Sequence, residues 1–191
     1  MPQKTVNLDQ IQPNLSINLV YLAKYKDGTS LNYLQSIRSG TYEIVSKENP
    51  EDNLFAQSYN NNLPHATKSL AQNLEEYKFD IILRPPSSRE DAKPYLEKIK
   101  EIRPDIKEIS DCINRTKGSK SGVGNTFKQY RKSLSYSCES TPNGSIKLLI
   151  VDDVFNSGRT VSSILDLLIN ESFSLDGVTV ACPLLIEDSS V

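Results

Sequence analysis

Apolar and polar positions follow two rhythms along this chain. Lys147-Leu148-Leu149-Ile150-Val151 is apolar at successive positions and ends in acids, the pattern of a central parallel strand covered on both faces. Just after it, Val161, Ile164, Leu165 and Leu168 recur at helical spacing, so one face of a helix can dock on that sheet. Gly177 then introduces Val178-Thr179-Val180-Ala181-Cys182, which reads as the next strand. Strand, loop, helix and strand in this order form a crossover unit, right-handed by the general rule.

A second unit lies upstream. Phe79-Asp80-Ile81-Ile82-Leu83 predicts a strand, and Arg84-Pro85-Pro86-Ser87-Ser88 terminates it. Ala92, Tyr95, Leu96 and Ile99 then share a helical face. Pro94 is tolerated only in a first turn, which places the start of that helix between Ser88 and Pro94. Ile106-Lys107-Glu108-Ile109 suits a short strand, and Leu63, Ala66, Leu70, Leu74 and Tyr77 form an earlier helical stripe. The alternation predicts an α/β domain with a mainly parallel central sheet flanked by helices.

The first 60 residues are expected to form a small N-terminal lobe or hood packed over the sheet edge, with the core in 61–191. Ile17–Leu22 and Tyr42–Val45 are its candidate strands, separated by a turn at Asp27-Gly28 and a short helix around Leu31–Ile37. Residues 114–146, with Gly118, Gly122, Gly124 and Gly144, are expected to be a long polar connection. Loops of that length in compact domains are usually functional or disordered.

Composition narrows the classes without choosing one. A 191-residue chain fits one domain, and its net charge of −2 disfavours whole-chain attraction to nucleic acid or acidic membranes. No apolar run approaches the roughly 20 residues needed to span a bilayer, and Met1-Pro2-Gln3-Lys4 lacks the apolar core of a signal peptide. Cys112, Cys138 and Cys182 are odd in number and lack C-x-x-C spacing. They read as ordinary thiols of a reducing compartment, neither a disulfide framework nor a zinc site. His65 is the only histidine, so any histidine-based chemistry would depend on it. A cytoplasmic protein is the expectation.

Chemistry concentrates where the central strand ends. In open parallel sheets, ligands bind outside the carboxyl ends of the strands, and Asp152 and Asp153 stand there. Adjacent carboxylates repel unless a cation or hydroxyl donors occupy the site; a ribose diol and Mg²⁺ would satisfy both. Ser157-Gly158-Arg159-Thr160 then opens a helix whose free N–H groups, dipole and hydroxyls suit a phosphate monoester. Gly158 permits close approach of the backbone. A plainer reading makes Asp152 and Asp153 capping residues between a strand and a helix. A response-regulator receiver is excluded, because its paired acids follow the first strand, whereas here only residues 154–191 follow.

Leu148–Thr160 resembles the signature of type I phosphoribosyltransferases that binds 5-phosphoribosyl-1-pyrophosphate (PRPP): four apolar residues, two acids, two apolar residues, then a small-polar loop with Gly158 and Thr160. Phe155 departs from it, where a smaller aliphatic is commoner, and so does Asn156. Leu19–Tyr25, the strand at Phe79 and the chain end after Cys182 look most like the competence-associated (ComF-type) branch. The resemblance implies the type I phosphoribosyltransferase fold. Asp152 and Asp153 would be the catalytic acids, binding the ribose hydroxyls and, through them or water, Mg²⁺. Asn156, Ser157, Gly158, Arg159 and Thr160 would hold the 5′-phosphate. In 6-oxopurine enzymes of the family the position of Asn156 carries an Asp that exchanges a proton with the purine. An amide cannot do so at neutral pH, so that specificity is disfavoured.

The family's pyrophosphate loop follows the first core strand, which here gives Arg84, Pro85, Ser87, Ser88 and Arg89. Guanidinium groups, hydroxyls and a helix start suit that anion, and Pro85-Pro86 could hold a cis peptide; a proline-rich strand terminator with solvent-facing arginines is the plainer alternative. Asn114–Lys132 carries Arg115, Lys117, Lys120, Lys128, Arg131 and Lys132 without an acid. It matches the family's flexible loop, which would close over the pyrophosphate and exclude water. A solvated basic loop, or a nucleic-acid contact using Phe127, Tyr130 and Tyr136, are its other readings.

The expected function is Mg²⁺-dependent transfer of a 5-phosphoribosyl group from PRPP to a nitrogen nucleophile, a nucleobase or related compound, with release of pyrophosphate. The alternative is a non-catalytic PRPP- or nucleotide-sensing regulator, contacting nucleic acid through the basic loop. The expected partners are PRPP and an unidentified base, with no membrane; a homodimer is left open.

Overall fold

A computed structural model of the chain describes residues 3–8, 15–26, 63–87, 91–116, 126–139 and 141–187. Its strands are β1 (Gln3–Asn7), β2 (Ser16–Lys26), β3 (Ile81–Leu83), β4 (Lys107–Glu108), β5 (Ile113–Arg115), β6 (Leu134–Tyr136), β7 (Ser145–Val151), β8 (Val154–Phe155) and β9 (Ser174–Glu187). Its helices are α1 (Leu63–Gln72), α2 (Lys93–Ile102), α3 (Phe127–Lys132) and α4 (Arg159–Asn170). The main sheet runs β1-β2-β9-β7-β3-β4, parallel throughout except at the β1–β2 pair. The expected α/β class with a mainly parallel central sheet is therefore the observed one.

The apolar run that predicts a two-sided strand is β7, held between β9 and β3. Successive side chains of a strand point to opposite faces, and β7 supplies both cores. Leu148 and Ile150 join α4 residues Val161, Ile164, Leu165 and Leu168 on one face. Leu149 and Val151 join Leu70 and Leu74 of the α1 segment and Tyr95, Leu96 and Ile99 of α2 on the other. Pro94 sits in the first turn of α2, as its missing N–H requires.

Of residues 1–60, expected as a lobe or hood, the described parts are strands of the central sheet. β2 lies parallel to β9, pairing Leu19 with Val180 and Tyr21 with Cys182, and β1 closes that edge. The candidate strand at Tyr42–Val45, the Asp27-Gly28 turn and the helix around Leu31–Ile37 fall outside the described residues.

The connection expected over 114–146 is partly regular. β5 and β6 form an antiparallel hairpin, Ile113 facing Tyr136 and Arg115 facing Leu134, with α3 just before β6. Apolar residues spaced along it explain the difference: Ile113, Tyr130 and Leu134 are buried in the α4 core. The hairpin also corrects the reading of the cysteines. Its base carries the Ser137 N–H to the Cys112 carbonyl at 2.9 Å, and Cys112 and Cys138 form a disulfide with Cα atoms 5.1 Å apart. Parity and spacing miss this pair because strand pairing, not sequence proximity, brings the two together. Cys182 stays a free, fully buried thiol, and its burial pushes its pKa far up.

Thiol titration checks this arrangement. The folded protein should show no reactive thiol, and denaturation without reductant should expose Cys182 alone. Reduction of a bridge closing a 26-residue separation should lower unfolding free energy by about 3 kcal/mol, read from urea curves. In the same assay Ile150→Ala, at a fully buried position, should lose about 2–5 kcal/mol.

Candidate functional site

The site is built around a gap in one ladder. β7 pairs with β9 up to Val151 opposite Ala181, and the Asp152 N–H donates to the Ala181 carbonyl at 3.0 Å. Pairing resumes with β8, Val154 opposite Leu184 and Phe155 opposite Leu185. The register is the same on both sides, so Asp152 and Asp153 fall opposite Cys182 and Pro183. Proline has no N–H to give a ladder, and the pairing of β2 with β9 also passes over Pro183. The chain is thus kept beside the sheet while two acidic residues are released from it. Both are half-buried, and the Asp153 N–H donates to Asp152 Oδ1 at 2.9 Å, orienting that carboxylate.

The loop after β8 turns directly into α4. Asn156 and Ser157 are exposed, Gly158 is buried, and Arg159 and Thr160 form the half-buried first turn. Gly158 is the N-cap in the left-handed conformation, φ 67° and ψ 2°, and no side chain caps the helix. The first turn carries no acid. Positive dipole, uncapped N–H groups and flanking hydroxyls make this terminus suited to an anion. The Gly158 backbone is also enclosed: an added Cβ would lie 3.1 Å from Leu8 Cδ2 and 3.2 Å from Phe155 Cζ. Phe155, an exception to the expected pattern, therefore packs beneath the loop.

Arg84 follows β3, whose last residue, Leu83, pairs with Ile150. Arg84, Pro85, Pro86 and Ser87 thus leave the same sheet end as Asp152, one strand away. Arg84 is half-buried, and its N–H donates to Ser110 Oγ at 3.0 Å, tying the loop to the turn before β5. Pro85 is buried and Ser87 exposed. No cis peptide occurs among the described residues, so Pro85 and Pro86 shape this loop in the trans form, contrary to the geometry entertained for them. Ser88 and Arg89 lie outside the described residues, as do Lys117 and Lys120.

Solved structures similar to this chain include a purine phosphoribosyltransferase from Pyrococcus horikoshii Ot3, 20% identical over 63% of this chain and 70% of that one, with a TM-score of 0.42. An adenine phosphoribosyltransferase from Thermoanaerobacter pseudethanolicus is 14% identical over 68% and 83%, with a TM-score of 0.47. Leishmania donovani UMP synthase is 15% identical over 80% of this chain and 31% of that one, with a TM-score of 0.39. At these values the likenesses assign no activity, substrate or site residue. No protein-family model matches the chain, and no curated protein does.

The hairpin brings a further group to the same place. Arg115, the last residue of β5, is half-buried, and its Nη1 atom is buried without a hydrogen-bond partner. α3 starts in a reciprocal capping box between Thr126 and Gln129 and is held to α4 by Arg131 Nε to Asp166 Oδ2 at 2.6 Å. Between those ties Tyr130 turns into the core. Burial, the largest influence, raises the pKa of its phenol; Arg115 and Thr160 beside it act in the opposite sense, and Asp152 adds to the rise. Two of the three aromatics of the nucleic-acid reading are turned to packing. Tyr130 is buried, and Tyr136 packs edge-on against Phe173 with centroids 5.4 Å apart. Its position in a run of cations conceals Tyr130 in the sequence; only the burial of Ile113 and Leu134 on the flanking strands marks it as an inward residue.

Among the described residues no group of three or more metal-ligating side chains occurs. Asp152 and Asp153 fit a Mg²⁺ that takes its remaining oxygens from a ligand and water, the usual manner of that ion with phosphorylated substrates. Gly158→Ala tests the enclosed turn. Its positive φ and close contacts should cost about 1–3 kcal/mol of stability, measured by urea unfolding.

Proposed function

We propose that this protein binds PRPP with Mg²⁺ and transfers its 5-phosphoribosyl group to a nitrogen nucleophile, releasing pyrophosphate, as a type I phosphoribosyltransferase. The observation that carries the reading is the junction of two released acids and an uncapped, glycine-led helix start at the carboxyl end of a central parallel strand. A diol-binding pair and a phosphate cradle a few residues apart match the two ends of a phosphoribosyl group. Asp152 and Asp153 would take the ribose hydroxyls, and Mg²⁺ through them or water. Residues Asn156–Thr160 would hold the 5′-phosphate. Arg84, leaving the adjacent strand, would meet the pyrophosphate.

The protein's part in such a reaction is to orient the ligand and to surround developing negative charge with fixed donors. Bound Mg²⁺ would supply charge neutralisation for the departing pyrophosphate. The similar solved structures include purine and adenine phosphoribosyltransferases, whose names are compatible with a base as acceptor. The ComF-type branch and a cytoplasmic location belong to this proposal, the location without the support of reduced thiols now that Cys112 and Cys138 are bridged; no helix among the described residues is long and apolar enough to cross a membrane.

Calorimetric titration with PRPP, with and without Mg²⁺, is the test. The wild type should bind saturably and depend on Mg²⁺, and Asp152→Asn with Asp153→Asn should abolish binding while leaving the fold intact. Normal binding by the double variant would remove these acids from the site. Pyrophosphate release in a screen of nucleobases separates transfer from sensing: binding without release with any base would assign a regulator.

A further inference from the structure

Tyr130 stands out because it buries a polar group beside the candidate site. Its side chain is buried, 4% exposed, and its hydroxyl has no hydrogen-bond partner; the adjacent Arg115 Nη1 has none either. Buried polar groups in folded proteins are almost always paired, and leaving one unpaired costs about 1–3 kcal/mol. A phenol needed only for packing would be better as phenylalanine. Nor is the hydroxyl unpaired for want of order, because α3 is fixed at both ends by the Thr126 capping box and the Arg131–Asp166 pair. The Thr116 N–H, bonded to the Ser133 carbonyl at 2.9 Å, closes the hairpin around it.

The hydroxyl's surroundings point to a ligand. Arg115 and Thr160 are near enough to act on it as hydrogen-bonding groups without completing a well-formed bond, and Arg115 and Asp152 act on it through charge. Asp152 and Thr160 belong to opposite ends of the candidate site, so the phenol faces the span between them. A phenol is protonated at neutral pH, and it can donate. We propose that Tyr130 is a ligand-contacting residue of this site, its O–H donating, beside Arg115, to an anionic oxygen of a phosphate-bearing ligand seated between Asp152 and Thr160. The identity of that ligand rests on the phosphoribosyl reading above; the donor role rests on the burial and unpaired state of the hydroxyl.

Tyr130→Phe removes the hydroxyl and keeps the ring. Without ligand, the variant should be at least as stable as the wild type in urea, since it discards an unpaired buried group. In calorimetry with PRPP and Mg²⁺ it should bind about tenfold more weakly or worse, the loss of one hydrogen bond to a charged oxygen. Lower stability of the ligand-free variant would make the hydroxyl a structural bond and overturn the proposal, as would unchanged affinity. Inorganic pyrophosphate and inorganic phosphate serve as further probes. If the wild type ignores PRPP but binds either anion, and Tyr130→Phe weakens that binding, the phosphoribosyl reading falls and Tyr130 keeps its role. If the wild type binds none of the three, both fall.

Discussion

The pairing of Val151 with Ala181 fixes everything at the functional end of the molecule. β7 is bonded on both edges and buried on both faces, so its backbone has no freedom to shift by even one residue. A slip would turn Leu148 and Ile150 toward the α1–α2 core and Leu149 and Val151 toward α4. With the strand immobile, its last residue sets where the two acids emerge, and Pro183 on the partner strand sets how long the ladder stays open. The resumption of pairing at Val154 then aims the chain at the start of α4. Placement of the acids and of the start of α4 is thus a consequence of sheet register, and the side chains concerned need contribute little to folding.

A second layer is secured more loosely. The β5–β6 hairpin has short strands outside the main sheet and gains its position from a few apolar anchors. Ile113, Tyr130 and Leu134 bury against α4, and the Cys112–Cys138 bridge joins the hairpin at its base. The Arg131–Asp166 pair is partly exposed and adds direction more than energy. An element attached in this way can carry a polar group into the site without sharing the cooperativity of the sheet. Its attachment to α4, the helix that starts at the candidate site, couples the two spatially.

Legibility in the sequence follows the same division. The run at Lys147–Val151 and the helical spacing after Gly158 are readable because one strand and one helix bury a whole stripe. The acids and glycine between them are readable because few structures need that combination. The role of residues 113–136 is not readable, since three-residue strands leave too little alternation to separate from loop, and cations dominate the composition. The Cys112–Cys138 bridge is invisible for a related reason: it depends on a hairpin whose strands are themselves obscure. In the N-terminal segment, Ile17–Leu22 reads correctly as a strand, but nothing local shows that it pairs with the last strand of the chain.

Several local rules are broken near the candidate site. Gly158 adopts a left-handed conformation under the packed Leu8 and Phe155 side chains, α4 begins without a side-chain cap, and Tyr130 buries an unpaired hydroxyl. Each has a plain explanation alone: glycines make turns, many helices start uncapped, and an occasional phenol is left unpaired. Together they surround the gap opposite Pro183, from which Asp152 and Asp153 emerge. A core selected only for stability would relieve the phenol by a single substitution. Costs of this kind persist where a ligand offsets them, which is what makes this end of the sheet the candidate site.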